Sequence, residues 1–187
     1  MKKLLIAAAV ATAFIGINAQ AASTGTINFT GSLTDSTCDV NVANQGSDAT
    51  ISLSNLATSS LPSLGSTAGD TDFAMVLTNC TLAAGETAVS ASFAGGTTAV
   101  NTNGRLINKS TATTISNVTL ELLDRTNGVA NPIVIGSSSQ ALSNEYGNIN
   151  TTNGTANLNY AVRYYAENGA ATSGAVEGSV VYSLQYK

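Results

Sequence analysis

Histidine and tryptophan are absent from this 187-residue sequence, and only two cysteines and two prolines are present. Without histidine the chain cannot form a Ser-His-Asp or Cys-His catalytic arrangement, nor a histidine-based zinc or copper site. Two cysteines are too few to hold an iron-sulfur cluster. We therefore expect no enzyme that depends on histidine, no metal site and no cofactor.

Charged residues are also scarce. Asp, Glu, Lys and Arg make up 10% of the chain, and the formal net charge is −4. A nucleic-acid-binding surface needs a basic field that attracts phosphates, and this composition does not supply one. We expect no nucleic acid among the partners.

Paired carboxylates are the one type of catalytic group that the composition leaves open. Asp35 and Asp39 flank a cysteine, and Asp70 and Asp72 precede a predicted strand. Glycoside hydrolysis and calcium binding are the alternatives, but the chain has no Trp to form a sugar platform and no EF-hand spacing. We interpret these carboxylates as solvated side chains, and the three arginines at 105, 125 and 163 as ion-pair partners.

The first residues are typical of a secretory signal. Two lysines follow Met1, residues 4–17 are apolar but short for a membrane span, and the Ala-Gln-Ala of residues 19–21 fits a small-x-small cleavage pattern. We predict a signal peptide at residues 1–21, with an uncleaved membrane anchor as the alternative.

Cleavage changes what the rest of the sequence predicts. The remaining 166 residues carry 5 Lys and Arg against 11 Asp and Glu, a net charge of −6, and their number suits one domain. Export leads to an oxidising compartment, so Cys38 and Cys80 are expected to form a disulfide.

Short segments of alternating apolar and polar residues predict strands along the whole mature chain. Thr is frequent and the helix-favouring Lys and Glu are scarce. Four Asn-Gly pairs, beginning at residues 103, 127, 153 and 168, predict tight turns. Short strands at this spacing indicate an immunoglobulin-like β-sandwich. The predicted strands are 25–33, 37–42, 50–53, 72–78, 88–93, 118–123, 132–135, 156–166 and 175–186, with a short helical turn within 54–70.

The two ends of the mature chain are predicted strands without an obvious partner. In the last strand Val180, Tyr182, Leu184 and Tyr186 share one apolar face, and the sequence ends one residue later. The first predicted strand, 25–33, begins close to the cleavage site. An unpaired strand edge attracts another chain, so we interpret the two ends as complementary halves of an intermolecular contact.

Together these features resemble the structural pilins of chaperone-usher fimbriae, the family that includes the major subunit of type 1 fimbriae. The resemblance covers essentially the whole mature chain and rests on the order and spacing of several short segments. They are Ile27-Asn28-Phe29-Thr30-Gly31, Asp35-Ser36-Thr37-Cys38, Leu77-Thr78-Asn79-Cys80, Leu122-Leu123-Asp124-Arg125-Thr126, Arg163-Tyr164-Tyr165-Ala166, Gly174 fourteenth from the end, and the penultimate Tyr186.

The resemblance implies an incomplete immunoglobulin-like sandwich at residues 34–187 that lacks its last strand and leaves a hydrophobic groove. It implies that residues 22–33 are a donor strand, which fills the groove of the next subunit by β-strand addition. The implied partners are identical or related pilin subunits, a periplasmic chaperone that fills the groove first, and an outer-membrane usher. The implied location is a fimbrium on the surface of a Gram-negative bacterium, reached through the periplasm, where it supports cell adhesion.

The resemblance also implies roles for individual residues. The inserting face of the donor strand consists of Ser23, Gly25, Ile27, Phe29 and Gly31, with Gly25 at a narrow part of the groove. The acceptor edge and chaperone-binding residues are Gly174, Val180, Tyr182, Leu184, Tyr186 and Lys187. The alternatives are a minor, tip or linker subunit of the same fold, and a self-contained secreted β-sandwich that acts as an adhesin or an enzyme.

Overall fold

The computed structural model describes residues 34–114 and 116–187, which contain nine strands and two short helical segments. The predicted donor strand and signal peptide lie outside the described residues. No helix in the described part is both long and apolar enough to cross a membrane. The strands are β1 (Thr37–Val42), β2 (Thr67–Thr81), β3 (Ala88–Gly95), β4 (Leu106–Ile107), β5 (Val118–Asp124), β6 (Asn131–Pro132), β7 (Gly147–Asn148), β8 (Ala156–Ala166) and β9 (Val180–Tyr186); a 3-10 turn spans Thr58–Ser60, and the helix α1 spans Gln140–Ser143.

The strands form two antiparallel sheets, which confirms the predicted all-β sandwich. The first sheet has the order β1-β2-β8-β5-β4, and β6 also pairs with β5. The second sheet has the order β7-β3-β9. The last strand is therefore at an edge of the second sheet.

Apolar residues that alternate along β2, β3 and β8 form the core between the sheets. Met75 and Leu77 of β2 meet Leu158 of β8, and all three are fully buried. The Tyr160 ring contacts Phe93 of the opposite sheet edge-on, with ring centroids 5.0 Å apart. The period-two pattern thus gives each sheet one apolar face, and the two faces cover each other.

The outer face of the first sheet carries a charged cluster. Glu121 of β5 is buried there, because Arg105 and Arg163 donate hydrogen bonds of 2.8 Å to its two carboxylate oxygens. The Arg105 guanidinium also lies 3.5 Å from the centre of the Tyr165 ring. Both arginines therefore form ion pairs, as predicted, and they satisfy a carboxylate that would otherwise be costly to bury.

The third arginine, Arg125, is the ion-pair partner of Asp70 and Asp72, the acidic pair considered in the sequence analysis. Arg125 pairs with Asp72, at 2.7 Å, and with Asp70. Both carboxylates therefore contact a cation that the chain itself supplies. Over the described ranges no group of three or more acidic or cysteine side chains is placed to hold a metal ion.

Several predicted elements match the structure closely and others differ: the strand predicted for 72–78 extends over Thr67–Thr81, and β4 and β7 are absent from the prediction. The segments 37–42 and 156–166 are strands with the predicted bounds, and the helical turn is Thr58–Ser60. Residues 50–53 are not a strand, because the Gln45 side chain binds both the N–H and the C=O of Thr50. The predicted strand 132–135 is only Asn131–Pro132, and the last strand begins at Val180 instead of residue 175.

Three of the four Asn-Gly pairs lie in hydrogen-bonded turns, as predicted, and the fourth, at residues 168 and 169, lies in a bend. Their glycines have φ values of 78°, 83°, 63° and 106° at residues 104, 128, 154 and 169. This left-handed region is favourable for glycine because it has no Cβ. Cys38 and Cys80 form a disulfide between the start of β1 and the end of β2.

Candidate strand-binding groove

One edge of β9 pairs with β3. Lys187 N–H donates to the Ala88 carbonyl at 3.0 Å, and Ala88 N–H donates back at 2.9 Å. The register continues from Val89 opposite Tyr186 to Gly95 opposite Val180. Because hydrogen-bonded and non-bonded pairs alternate in an antiparallel ladder, residues 181, 183 and 185 of β9 also bond β3.

The same alternation points the backbone groups of Val180, Tyr182, Leu184 and Tyr186 away from β3; we call these groups the open edge. The sheet ends at β9, and within residues 34–114 and 116–187 no hydrogen bond reaches the open edge. The four side chains are half-buried and pack against the core. The open edge therefore offers four N–H and four C=O groups beside apolar side chains, which is what an added strand requires.

A groove of about 940 Å³ lies over the inner face of the first sheet, and we call it the acceptor groove. One wall is formed by residues 49–58 and the other by residues 171–180. The floor is apolar and consists of Phe73, Leu106, Leu120, Leu122, Val162 and Tyr164.

The acceptor groove exists because the core is covered at one end only. Along β8, Leu158 and Tyr160 are fully buried, whereas Val162 and Tyr164 on the same face are half-exposed. Phe73 of β2 shows the same partial exposure. The apolar face of the first sheet thus continues past its cover, and an incoming strand would bury it.

Asn108 holds the wall that leads into β9. Its side-chain amide donates to the carbonyls of Ser116 and Ala175, at 3.1 and 2.7 Å. Its oxygen accepts from the N–H groups of Ser110 and Glu177, each at 3.0 Å. The bonds to Ala175 and Glu177 engage backbone groups of the segment 175–179, which the sequence predicted to be part of the last strand, and they tie this wall to Asn108.

Gly178 brings the same wall into contact with the floor. A Cβ at this position would lie 2.9 Å from Leu120 Cδ1 and 3.4 Å from Leu106 Cδ1. Glycine suits this close approach, since a larger residue would require the Leu120 side chain or the wall to shift.

Tyrosines close the far end of the gap between β9 and the first strand. The Tyr182 hydroxyl donates to the Ser47 carbonyl at 2.8 Å. Burial, and next the charge of Asp48, raise the pKa of Tyr182 above its ordinary value. Burial likewise raises the pKa of Tyr186, whose hydroxyl is bonded to the backbone of Cys38.

The predicted acceptor residues fall into two groups. Gly174 and Val180 line the acceptor groove, whereas Tyr182, Leu184 and Tyr186 continue the open edge beyond it. A backbone oxygen of Lys187 accepts from Thr87 N–H at 2.7 Å and Ala88 N–H at 2.9 Å, and its ammonium lies 3.8 Å from the Tyr146 ring centre. The predicted donor residues Ser23, Gly25, Ile27, Phe29 and Gly31 lie outside the described residues.

Sequence reasoning missed the groove floor, Asn108 and Gly178. Five of the six floor residues occur in predicted strands, the exception being Leu106, so the alternation of Val162 and Tyr164 was a usable signal for an inner face. No local pattern identified Asn108 or Gly178, because their partners are distant in sequence.

Comparison with known proteins gives the family. The family model described as "FimA: Type-1 fimbrial protein, A" matches residues 49–187. This chain belongs to the type-1 fimbrial protein family. The major fimbrial subunit SMF-1 of Stenotrophomonas maltophilia (strain K279a) is 38% identical over 165 residues, which are 88% of this chain and 94% of that one. The type-1 fimbrial protein A chain of Escherichia coli (strain K12) is 29% identical over 163 residues, 87% and 84% of the two chains.

Solved structures support the fold. A chaperone-usher pilus structure has a TM-score of 0.58 at 20% identity and covers 89% of this chain and 98% of that one. The crystal structure of the P pilus rod subunit PapA also has a TM-score of 0.58 at 20% identity, with coverages of 80% and 99%. The incomplete immunoglobulin-like sandwich of pilins is thus the fold of this type-1 fimbrial family member.

The protein is a structural subunit of a fimbria, as predicted. It is exported through the periplasm to a surface fimbrium, where pilin subunits polymerise with one another. The family consists of structural subunits and not of enzymes, and a tip subunit is not favoured.

Proposed function

We propose that the acceptor groove and the open edge bind the N-terminal segment 22–33 of a neighbouring subunit, and that repetition of this contact builds the fibre. The observation that carries the proposal is the open edge: its backbone groups, unpaired within the described residues, begin at Val180 beside the uncovered apolar floor and continue past it to Tyr186. The contact joins two different surfaces, so it is head to tail and does not close on itself.

The proposed donor suits this surface chemically. Residues 22–33 carry no charge, and Ile27 and Phe29 alternate with polar residues. Burial of these two side chains contributes about 1.5 to 3 kcal/mol each. Each backbone hydrogen bond to the open edge adds about 0.5 to 1.5 kcal/mol. The inserting face in this proposal is Ser23, Gly25, Ile27, Phe29 and Gly31.

The same surface needs cover before assembly, because an exposed apolar floor beside an unpaired strand favours aggregation. In this proposal a periplasmic chaperone supplies a temporary strand along Val180, Tyr182, Leu184 and Tyr186. It also binds the carboxylate of Lys187, and Gly174 lies where the acceptor wall begins. The outer-membrane usher is the place where the strand of the next subunit replaces that of the chaperone.

The test places the same two charges on opposite faces of the donor strand. We expect Ile27→Asp with Phe29→Asp to abolish fibres, because the charges would enter an apolar groove, and to leave soluble subunit bound to chaperone. The matched control, Thr26→Asp with Asn28→Asp, should still polymerise, since those side chains point away from the groove. Electron microscopy and periplasmic co-purification give the readout. Normal fibres from the first variant would refute the donor assignment.

A further inference from the structure

The four Asn-Gly pairs are identical as dipeptides, but one of them differs from the other three in its hydrogen bonding. We infer that Asn168 is the site at which this protein is covalently modified by deamidation, and that the other three pairs are protected by the fold. In this reaction the backbone nitrogen of the following glycine attacks the side-chain amide of the asparagine. Glycine favours the attack because it has no Cβ to obstruct the approach.

The backbone nitrogen is engaged at three of the pairs. Gly104 N–H donates to the Asn101 carbonyl at 3.0 Å, Gly128 N–H donates to Arg125 at 2.9 Å, and Gly154 N–H donates to Asn150 at 2.8 Å. Each of these bonds closes the turn that contains the pair. The nucleophile must therefore leave a turn hydrogen bond before it can react, which requires local opening.

The side-chain amide is engaged at the same three pairs. Asn103 donates to Glu167 at 3.2 Å, and Asn127 donates to Glu145. The Asn153 oxygen accepts from the Thr155 hydroxyl at 2.7 Å. Each amide is therefore restrained by a hydrogen bond of its own, in addition to the constraint on the glycine nitrogen.

Asn168 and Gly169 carry neither constraint. Among the hydrogen bonds of residues 34–114 and 116–187, none involves the Asn168 side chain or the Gly169 N–H. Asn168 is exposed, and Gly169 has a φ of 106°. The flanking residues are anchored, because Glu167 accepts from Arg105 and the Ala170 carbonyl accepts from Asn117. Of this short segment, therefore, Asn168 and Gly169 are the residues without such hydrogen bonds among the described residues.

The chemistry needs water and no other reagent. The Gly169 nitrogen loses its proton to solvent and forms a bond to Asn168 Cγ, and the amide nitrogen leaves as ammonia. Water then opens the five-membered succinimide at either carbonyl to give aspartate or isoaspartate. The product adds one negative charge beside Glu167, and the isoaspartate form lengthens the backbone between β8 and the groove wall.

The experiment uses fimbriae sheared from cells and incubated at neutral and mildly alkaline pH, with a matched sample in guanidinium. Trypsin places Asn168 on peptide 164–187, where it is the one asparagine, whereas Asn127 and Asn153 share peptide 126–163. Mass spectrometry then follows the exchange of amide NH2 for OH at each site. An Asn168→Gln variant, whose longer side chain disfavours the five-membered ring, is the control.

We expect folded fimbriae to deamidate first at Asn168 and several-fold faster than at the other three pairs, with the difference lost in guanidinium. Similar rates at all four pairs in the folded protein would overturn the inference. Persistence of the same ranking in guanidinium would also overturn it, because the selectivity would then come from local sequence and not from the fold. An unmodified Asn168 in aged fimbriae would have the same consequence.

Discussion

The two edges of the second sheet differ in whether their backbone groups are hydrogen-bonded. On β3, the backbone groups of Ala91 and Phe93 form a closed edge: within residues 34–114 and 116–187 no strand backbone is hydrogen-bonded to them, but side chains satisfy them. Gln140 of α1 accepts from Phe93 N–H and donates to its carbonyl, both at 2.8 Å. Asn144 donates to the Ala91 carbonyl at 2.8 Å, and the Tyr160 hydroxyl accepts from Ala91 N–H at 3.1 Å.

The open edge on β9 has no such cover among the described residues. In the second sheet, buried amide side chains thus satisfy the backbone groups of one edge, whereas those of the other edge are unpaired within the part of the chain that the structure describes. If a donor strand adds to this sheet as proposed, β9 is the edge that can accept it.

The largest expected effect comes from breaking the open edge. Leu184→Asp places a charge on the half-buried face that we propose receives the donor, so we expect loss of both fibres and chaperone-bound subunit. Ser183→Asp adds the same charge to the same strand on its exposed face, and it should assemble as the unmodified chain does. Fibre yield and periplasmic subunit level give the comparison. Equal assembly of the two variants would show that this face of β9 does not receive a strand.

A smaller effect is expected at the closed edge. Gln140→Ala leaves Phe93 N–H buried without an acceptor, which should lower the free energy of unfolding by about 1 to 3 kcal/mol. Leu142→Ala on the same helix is the control, because Leu142 is 93% exposed and should change stability by less than about 0.5 kcal/mol. Denaturant unfolding of each subunit in complex with a donor peptide of residues 22–33 measures both. We also expect faster hydrogen exchange at Phe93, and equal stability of the two variants would contradict the capping role.

The smallest effect is a difference in alkaline sensitivity between the edges. Burial raises the pKa of Tyr160, at the closed edge, far more than that of Tyr182, at the open edge. A raised tyrosine pKa stabilises the fold fully below the unfolded pKa of about 10, and this contribution is lost as the pH rises above it. Above this pH, the free energy of unfolding should fall less steeply with pH in Tyr160→Phe than in the unmodified protein. Tyr182→Phe should reduce the steepness by a smaller amount. An equal flattening would contradict the assigned difference in burial.

The sequence predicted correctly those strands in which apolar and polar residues alternate along the whole length that pairs with a neighbouring strand. Residues 37–42 and 156–166 have the predicted bounds because each has a long neighbour that uses the whole pattern. Residues 50–53 share the pattern, since Ile51 and Leu53 are half-buried between exposed neighbours, but Gln45 takes the backbone groups of Thr50. The alternation in residues 50–53 therefore predicted correctly which side chains are buried, but it predicted wrongly that their backbone pairs with another strand.

The site was predictable in part for the same reason. The apolar face of the last strand follows from alternation, whereas its place at the edge of the second sheet is seen only in the structure. The closed edge was not predictable, because Gln140 and Asn144 bond to backbone groups 47 and 53 residues away. Such contacts leave no periodic signal, and α1 has only four residues.

The disulfide has a mechanical consequence for a subunit in a fibre. Tension from the segment before Thr34 reaches β1 first, and an edge strand pulled from one end unzips one hydrogen bond at a time. Cys38 lies at the second residue of β1 and is bonded covalently to Cys80 at the end of β2. If the segment before Thr34 is held by a neighbouring subunit as proposed, the load therefore passes through the disulfide to the fifteen-residue strand β2 before β1 can peel.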